Sequence, residues 1–240
     1  MFRAGLPVFP LNVVLFPDAP LPLHVFEERY REMVRECLEK DRSFGVLLVT
    51  PDATTKGTSR IYSIGTIARI VETNPYPDGR YDIMCLGRER FRVVSHQNDR
   101  PYHTASVTIL SETEPRPSHP QADEQTAIAA ALAIQTILEL RLLLATLSRA
   151  TTLDDARAEQ LGRIVKAIPN EPIALSYFAA RILPTANLAD RQDLLEIPSV
   201  SGRLLKIQEH LKRERRVAYQ IEAANTVPLF RGEAGGTVFN

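Results

Sequence analysis

One stretch of sequence decides the fold, and it runs from Arg60 to Val94 as RIYSIGTIARIVETNPYPDGRYDIMCLGRERFRVV. Alternate residues along its first arm are apolar or small, which is the period of a β-strand. A turn is predicted at Pro77–Gly79, because proline presets φ and glycine adopts the left-handed conformation. The returning arm alternates in the same way up to Val93, and Gly87 within it indicates a bulge or sharp bend. The stretch therefore predicts an antiparallel hairpin.

The segment before this hairpin is apolar but carries five prolines, in LPVFPLNVVLFPDAPLPLHVFEERY at residues 6–30. Proline cannot donate to a strand ladder, so it is confined to strand edges, strand ends and turns. We therefore expect short edge strands, with Pro7 and Pro10 bracketing the first one. Pro17 and Pro20 are expected to turn the chain, and Pro22 to enter a second short strand at its edge. A helix follows, and five of its residues are predicted to form one buried stripe at helical spacing: Phe26, Tyr30, Met33, Val34 and Cys37.

The hydrophobic period changes after residue 112, and helix patterns repeat from there onward. The predicted class is α+β, with about six strands and one inserted helix followed by four or five helices. The predicted boundaries are a β subdomain at 1–114, a linker at 115–120, a helical subdomain at 121–224 and an irregular tail at 225–240.

Two features bear on where the protein works. The run Ala127–Leu147 is about as long as a membrane-spanning helix. Gln135, Glu139 and Arg141 interrupt it, so we expect a long helix buried by its neighbours instead of a membrane span. The first residues lack the apolar region of a signal peptide, and the two cysteines form no disulfide framework. We therefore expect a cytoplasmic protein.

The composition and motifs argue against several kinds of chemistry. Basic and acidic residues number 29 each, so the formal net charge of +0 gives no bulk attraction to nucleic acid or an anionic membrane. The sequence has no phosphate-binding Gly-x-x-x-x-Gly-Lys loop and no Gly-x-Ser-x-Gly nucleophile elbow. Its two cysteines and five histidines lack the spacing of metal ligands. We expect no enzymatic activity, no cofactor and no metal site.

Two basic features need an interpretation. Arg88, Arg90 and Arg92 alternate along the second arm of the hairpin. They fit either a ladder that contacts phosphates or a solvent-facing strand paired with carboxylates such as Glu72 or Glu112, and we favour the second. The run KRERR at 212–216 falls in the last predicted helix, where a solvated face is favoured over a nucleic-acid patch.

Three segments together resemble the N-terminal substrate-recognition domain of Lon-type ATP-dependent proteases. They are the proline-rich opening at 6–30, the hairpin with Gly65, Gly87, Arg90 and Phe91, and FAARILPTANLADRQDLLEIPSVSGRLLKIQEHLKRE at 178–214. This resemblance covers most of the chain up to residue 214 and implies a PUA-like β-barrel followed by an α-helical bundle. The family's ATPase and Ser–Lys peptidase do not follow in this sequence, so we expect a stand-alone domain protein.

The resemblance implies a non-catalytic module that binds unfolded or exposed polypeptide segments, as an adaptor or modulator of ATP-dependent proteolysis. Its expected partners are unfolded or partly folded polypeptides and a protease. Two alternatives stay open: a PUA-like protein that binds nucleic acid or a small ligand, and a fragment of, or accessory to, a Lon-type peptidase. The candidate peptide-binding residues are Phe16, Leu21, Leu23, Tyr30, Arg88, Arg90 and Arg92.

Overall fold

The structure is a computed structural model that describes residues 1–51, 59–97, 100–112, 120–150 and 155–226. Within these ranges the chain forms seven β-strands and six α-helices, one of them inserted among the strands. The strands are β1 (Phe2–Leu11), β2 (Pro20–Val25), β3 (Ser43–Pro51), β4 (Ser59–Ile61), β5 (Ile64–Pro75), β6 (Tyr81–Gln97) and β7 (Thr104–Leu110). The helices are α1 (Glu28–Glu39), α2 (Pro120–Ala150), α3 (Asp155–Lys166), α4 (Pro172–Ile182), α5 (Leu188–Glu196) and α6 (Val200–Thr226).

Five strands pair in a closed ring, in the order β1, β7, β6, β5, β3 and back to β1. The first half of β1 pairs antiparallel with β7, and its second half, Val8–Leu11, pairs parallel with β3. The β1–β7 register shifts between Arg3 and Leu6, where Gly5 has a φ of 64°. β2 extends the sheet beside β6, and β4 pairs with the end of β3.

The prolines of the opening segment lie partly where the sequence predicts them. Pro17 lies in a turn, as expected, because the N–H of Ala19 donates to the carbonyl of Phe16 at 3.1 Å. Pro7 and Pro10, however, lie inside β1 and do not bracket a strand, and Pro20 is the first residue of β2 instead of part of the turn. Pro22 lies in β2, as expected. Pro7 lies in the half of β1 that pairs with β7, and Pro10 lies in the half that pairs with β3. Each half of β1 has a registered partner on one side only, so the missing N–H of each proline does not interrupt hydrogen bonding to two strands at once.

The predicted hairpin is confirmed as β5 and β6. Gly79 has a φ of 83°, and its N–H donates to the carbonyl of Tyr76 at 3.0 Å, which closes the turn. The register shifts between Thr66 and Ala68, opposite Gly87, as expected of a bulge there. The hairpin is the longest pairing in the sheet. β2 and β7 both pair with β6, on the edge that does not face β5.

Two hairpin glycines are sites where another backbone approaches closely. A Cβ on Gly65 would lie 2.1 Å from the carbonyl oxygen of Val46, and a Cβ on Gly87 would lie 2.2 Å from that of Phe16. No side chain fits at either distance without a shift of the backbone. These contacts explain physically why both positions require glycine.

α1 packs its apolar stripe against the strands. Tyr30 stacks on Phe9 with ring centroids 4.0 Å apart, and the predicted stripe residues Met33, Val34 and Cys37 are buried. Phe26 was also predicted on this stripe, but it precedes the helix and is 62% exposed. The difference arises because α1 begins at Glu28, so Phe26 does not follow the helical period.

α2 and α6 lie side by side along their length. Gln208 donates from Nε2 to the Thr136 hydroxyl at 3.2 Å, and Arg215 forms an ion pair with Glu139. The segment Thr126–Ser148 of α2 is long and apolar enough to cross a membrane by length and composition, and 28% of its most apolar window is buried. Neighbouring elements therefore bury one face of α2, as expected, and leave its other face exposed.

One apolar core joins the strands and the helices. A continuous cluster of buried side chains extends from Phe9 in β1 to Ala218 in α6, and a smaller cluster around Phe91 fills the ring of strands. The subdomain boundaries stay a prediction. Most of the predicted linker and most of the tail lie outside the described residues.

Candidate peptide-binding groove

The seven predicted binding residues differ in exposure. Four are buried: Phe16, Leu21, Tyr30 and Arg90. Leu23 is partly buried, whereas Arg88 and Arg92 are exposed. The four buried side chains are therefore not available for direct contact with a peptide.

Arg90 is fully enclosed, with 1% of its side chain exposed. Its Nε donates to Glu112 Oε1 at 2.9 Å, and its Nη1 donates to the carbonyls of Leu195 at 2.6 Å and Ile197 at 2.9 Å. The predicted pairing of this arginine series with a carboxylate is confirmed for Arg90 and Glu112. The solvent-facing position is wrong for Arg90, because the connection between α5 and α6 covers this part of β6.

Arg203 of α6 reaches the same carboxylate from the other side. Its Nη2 donates to Glu112 Oε2 at 3.1 Å and its Nη1 to Ser176 Oγ at 2.7 Å. Its guanidinium lies over the ring of Tyr177, 4.1 Å from the centroid, and the Tyr177 hydroxyl donates to Glu112. Burial raises the pKa of Tyr177, so the phenol remains a donor. Arg90, Glu112, Tyr177 and Arg203 form what we call the ionic cluster.

The ionic cluster ties the strands to the helices and forms one wall of an open groove. This β6–α4 groove encloses about 330 Å³ and is bordered by the turn at Pro17 and Asp18, by β6 at Arg88 and Glu89, by the end of β7, and by α4. Ile173 of α4 contributes an apolar surface. The groove thus brings together Arg88 and Arg90, two of the predicted residues.

A gap in strand pairing opens onto the groove. The pairing of β2 with β6 ends at Leu86, and the pairing of β7 with β6 begins at Arg90. Between them, Arg88 and Glu89 have no registered strand partner among the described residues. The N–H of Asp18 donates to the carbonyl of Gly87 at 3.0 Å and marks the near end of the gap. The gap is two residues long and coincides with the bulge opposite Ile67, so it leaves a short piece of β6 backbone on the groove side that β2 and β7 do not cover. A peptide in the groove could bond to this backbone in the manner of strand addition.

Leu23 and Arg92 lie apart from this groove. Leu23 borders a second depression of about 450 Å³ on the face formed by β2, β6 and β5. There His24 Nδ1 lies 2.6 Å from Asp82 Oδ1, and the Tyr76 hydroxyl donates to Asp82 Oδ2 at 2.5 Å. Hydrogen bonds from Tyr76 and His24 lower the pKa of Asp82. Across the described residues, no group of three or more His, Cys, Asp or Glu side chains is placed to hold a metal ion.

Sequence reasoning did not identify Arg203 or Tyr177. A signal for Arg203 was present, because it lies four residues before Ile207 and therefore on the buried stripe of α6. A charged residue at an apolar position of the helical period indicates a buried partner. That partner could not be named in advance, because Glu112 lies 91 residues away in the chain.

Comparisons with known proteins agree with this architecture. Residues 5–213 match the family model described as the ATP-dependent protease La (LON) substrate-binding domain. Lon protease 2 of Herpetosiphon aurantiacus is 30% identical over 87% of this chain and 24% of its own length, and Lon protease 1 of Bdellovibrio bacteriovorus is 26% identical over 86% and 24%. The chain thus spans about a quarter of the length of these relatives.

Two solved structures are similar in fold. The Lon N-terminal domain protein from Xanthomonas campestris is 26% identical with a TM-score of 0.56, and the match covers 86% of this chain and 98% of that one. The N-terminal domain of the Mycobacterium avium complex Lon protease is 19% identical with a TM-score of 0.58, covers 87% and 98%, and supports the fold alone. From these matches and the family model, the chain belongs to the LON substrate-binding domain family.

Proposed function

We propose that this chain is a non-catalytic, cytoplasmic module that recognises unfolded or exposed polypeptide segments and presents them to, or modulates, an ATP-dependent protease. Membership of the LON substrate-binding domain family supports substrate recognition. We further propose that the closed ring of strands is a PUA-like barrel and that α2–α6 form the adjoining bundle, with the subdomain boundaries given above.

One observation carries the choice of site. The edge of β6 at Arg88 and Glu89 is unpaired in register and opens onto the β6–α4 groove. Backbone groups bind an extended segment irrespective of its sequence, which suits a module that must accept many unfolded clients. Apolar client side chains would then contact Ile173, and the ionic cluster keeps the groove wall in place.

Fluorescence anisotropy with a labelled, permanently unfolded protein tests this proposal. We expect saturable binding to the wild-type chain. Ser111→Trp fills the groove from an exposed lining position and should weaken binding about tenfold, because the added ring occupies the space of the client. Ser95→Trp adds the same ring at an exposed position of β6 outside the groove and should leave the affinity unchanged.

Two results would contradict the proposal. One is the absence of binding at about 50 µM protein, which leaves too little interaction free energy for client capture. The other is equal loss of affinity in both tryptophan variants. A labelled single-stranded RNA, titrated in parallel, tests the nucleic-acid alternative, since RNA binding would be strongly salt-dependent.

A further inference from the structure

A small pocket lies next to the β6–α4 groove, between the turn at Pro17 and Asp18 and helix α4. It encloses about 80 Å³, and Pro17, Asp18 and Tyr177 line both the pocket and the groove, so the two spaces adjoin. The N–H of Asp18 donates to the carbonyl of Gly87 at 3.0 Å, which holds the turn against β6 at the residue before the pairing gap. The pocket is therefore a neighbour of the β6 backbone that the proposed function assigns to clients.

The walls of this pocket, which we call the α4 pocket, are mostly apolar. Pro17, Pro169 before α4, and Ala174 and Phe178 of α4 supply carbon atoms to its lining. The guanidinium of Arg181, which also lines it, lies over the ring of Phe178 at 5.3 Å from the centroid. Such walls favour an apolar side chain, because its carbon surface leaves water and no polar group is left unpaired.

The volume of the α4 pocket limits which side chain fits into it. One ordered water needs about 10–15 Å³ of cavity volume, so a pocket of about 80 Å³ has room for on the order of six heavy atoms. A branched aliphatic side chain is smaller than this, whereas the side chain of tryptophan is larger. Alanine would leave most of the pocket empty. The volume therefore favours leucine, isoleucine or valine.

A carboxylate stands where the groove and the α4 pocket meet. Asp18 is exposed, lines both spaces and forms no ion pair with any side chain in the described ranges. Among the other exposed charges of the groove, Arg88 and Glu89 are of opposite sign and cancel. Arg181 is partly buried and engaged by the ring of Phe178. The mouth of the pocket therefore attracts a cation.

We propose that the α4 pocket selects among clients: it accepts one branched aliphatic side chain of an extended segment, and Asp18 pairs with a basic residue beside it in the client. Backbone bonding gives affinity for any extended segment, and a side-chain pocket adds a preference for particular ones. This inference rests on the proposed function, because the pocket can read only a segment that lies in the β6–α4 groove. It names the class of segment bound, which is leucine, isoleucine or valine next to lysine or arginine.

Peptide competition against a labelled, permanently unfolded protein tests the inference by fluorescence anisotropy. The competitors share one host sequence rich in serine and threonine. Their central residue is leucine, alanine or tryptophan, and the residue beside it is lysine or glutamate. We expect the peptide with leucine and lysine to compete about tenfold more strongly than those with alanine or tryptophan at the centre. It should compete about threefold more strongly than the peptide with leucine and glutamate, and only this second difference should shrink at high salt.

Three variants separate the two parts of this preference. Ala174→Leu fills the α4 pocket from its own wall and should remove the preference for leucine over alanine. Asp18→Asn removes the charge, and asparagine tolerates the φ of 58° at this position, so only the preference for lysine should disappear. Ala189→Leu makes the first change at an exposed position of α5 outside the pocket and should leave both preferences intact. Thermal melting checks that every variant folds.

The outcomes distinguish failure of this inference from failure of the proposed function. Equal competition by the leucine, alanine and tryptophan peptides, or a leucine preference that Ala174→Leu leaves unchanged, would overturn the inference. Binding of the unfolded protein would still support the proposed function in that case. A lysine preference that persists in Asp18→Asn would overturn the role of Asp18. Absence of binding by the unfolded protein itself would overturn the proposed function and the inference with it.

Discussion

The ionic cluster and the exposed apolar face of α2 at Ile134, Leu138 and Leu142 place side chains in opposite ways. At the junction of β6 with α6, two guanidinium groups are enclosed, with Arg90 and Arg203 exposing 1% and 0% of their side chains. On α2, Ile134 and Leu138 expose more than half of their surface. Burying charge costs stability unless every donor is paired, and exposing apolar groups forgoes stability. The first region therefore contributes to the stability of the fold, and the second contributes little to it.

The largest expected effect comes from breaking the ionic cluster. Arg203→Met removes the donors to Glu112, Ser176 and Ile197 and leaves buried acceptors unpaired. We expect the free energy of unfolding to fall by about 3–5 kcal/mol in urea titrations. Arg92→Met, on the exposed part of the same arginine series, should change it by less than about 0.5 kcal/mol. Equal effects of the two changes would remove the distinction between the regions.

A second, smaller effect tests the close packing of the hairpin that carries Arg90 against β3. Gly65→Ala forces a Cβ against the carbonyl of Val46 and should lower the free energy of unfolding by about 1–3 kcal/mol. Gly162→Ala is the matched control, because it lies in α3 with nothing within 4 Å of the added Cβ. That change should raise stability by about 0.4–1 kcal/mol. Thermal unfolding monitored by circular dichroism compares both with the wild type.

The dependence of stability on pH probes the buried face of α6. Burial lowers the pKa of His210 from 6.5, and Arg213 acts in the same direction. Below pH 6.5 the unfolded chain therefore binds a proton that the folded chain does not, so this residue makes stability fall as the pH drops. Urea titrations at pH 7.5 and 5.5 should show a smaller drop for His210→Gln than for the wild type. An unchanged drop would mean that His210 is not held in its neutral form.

The smallest expected effect is on the exposed apolar face of α2. Leu138→Ala should change the free energy of unfolding by no more than about 0.5 kcal/mol, because Leu138 is largely solvated. Leu140→Ala, two residues along the same helix, should cost about 2–5 kcal/mol, because Leu140 is 1% exposed. Similar losses of stability for the two variants in chemical denaturation would show that the face of α2 around Leu138 is covered in solution.

The parts of the fold that depend on local chemistry could be predicted from the sequence. The hairpin turn follows from the conformations of proline and glycine, and the buried face of α1 follows from helical spacing at Tyr30 and Met33. The environment of single residues could not be predicted in the same way. Arg90 becomes buried because the end of α5 and the α5–α6 connection, more than 100 residues later in the chain, supply its carbonyl acceptors.

The candidate groove was predicted only in part, for the same reason. Arg88 lies in it as a predicted residue, but its walls at Ile173 and Tyr177 come from α4. Periodicity shows which face of α4 is buried but not which strand it meets. The pairing gap at Arg88 and Glu89 likewise depends on where β2 ends and β7 begins on β6, which the separate strand patterns do not reveal.

The most direct test of the central claim is the anisotropy titration of a labelled unfolded protein with the wild-type chain, Ser111→Trp and Ser95→Trp. The two variants are first checked to melt at the same temperature as the wild type. Polypeptide recognition in the β6–α4 groove predicts saturable binding that weakens about tenfold in Ser111→Trp alone. Absence of binding by the wild type, or full affinity in Ser111→Trp, would contradict it.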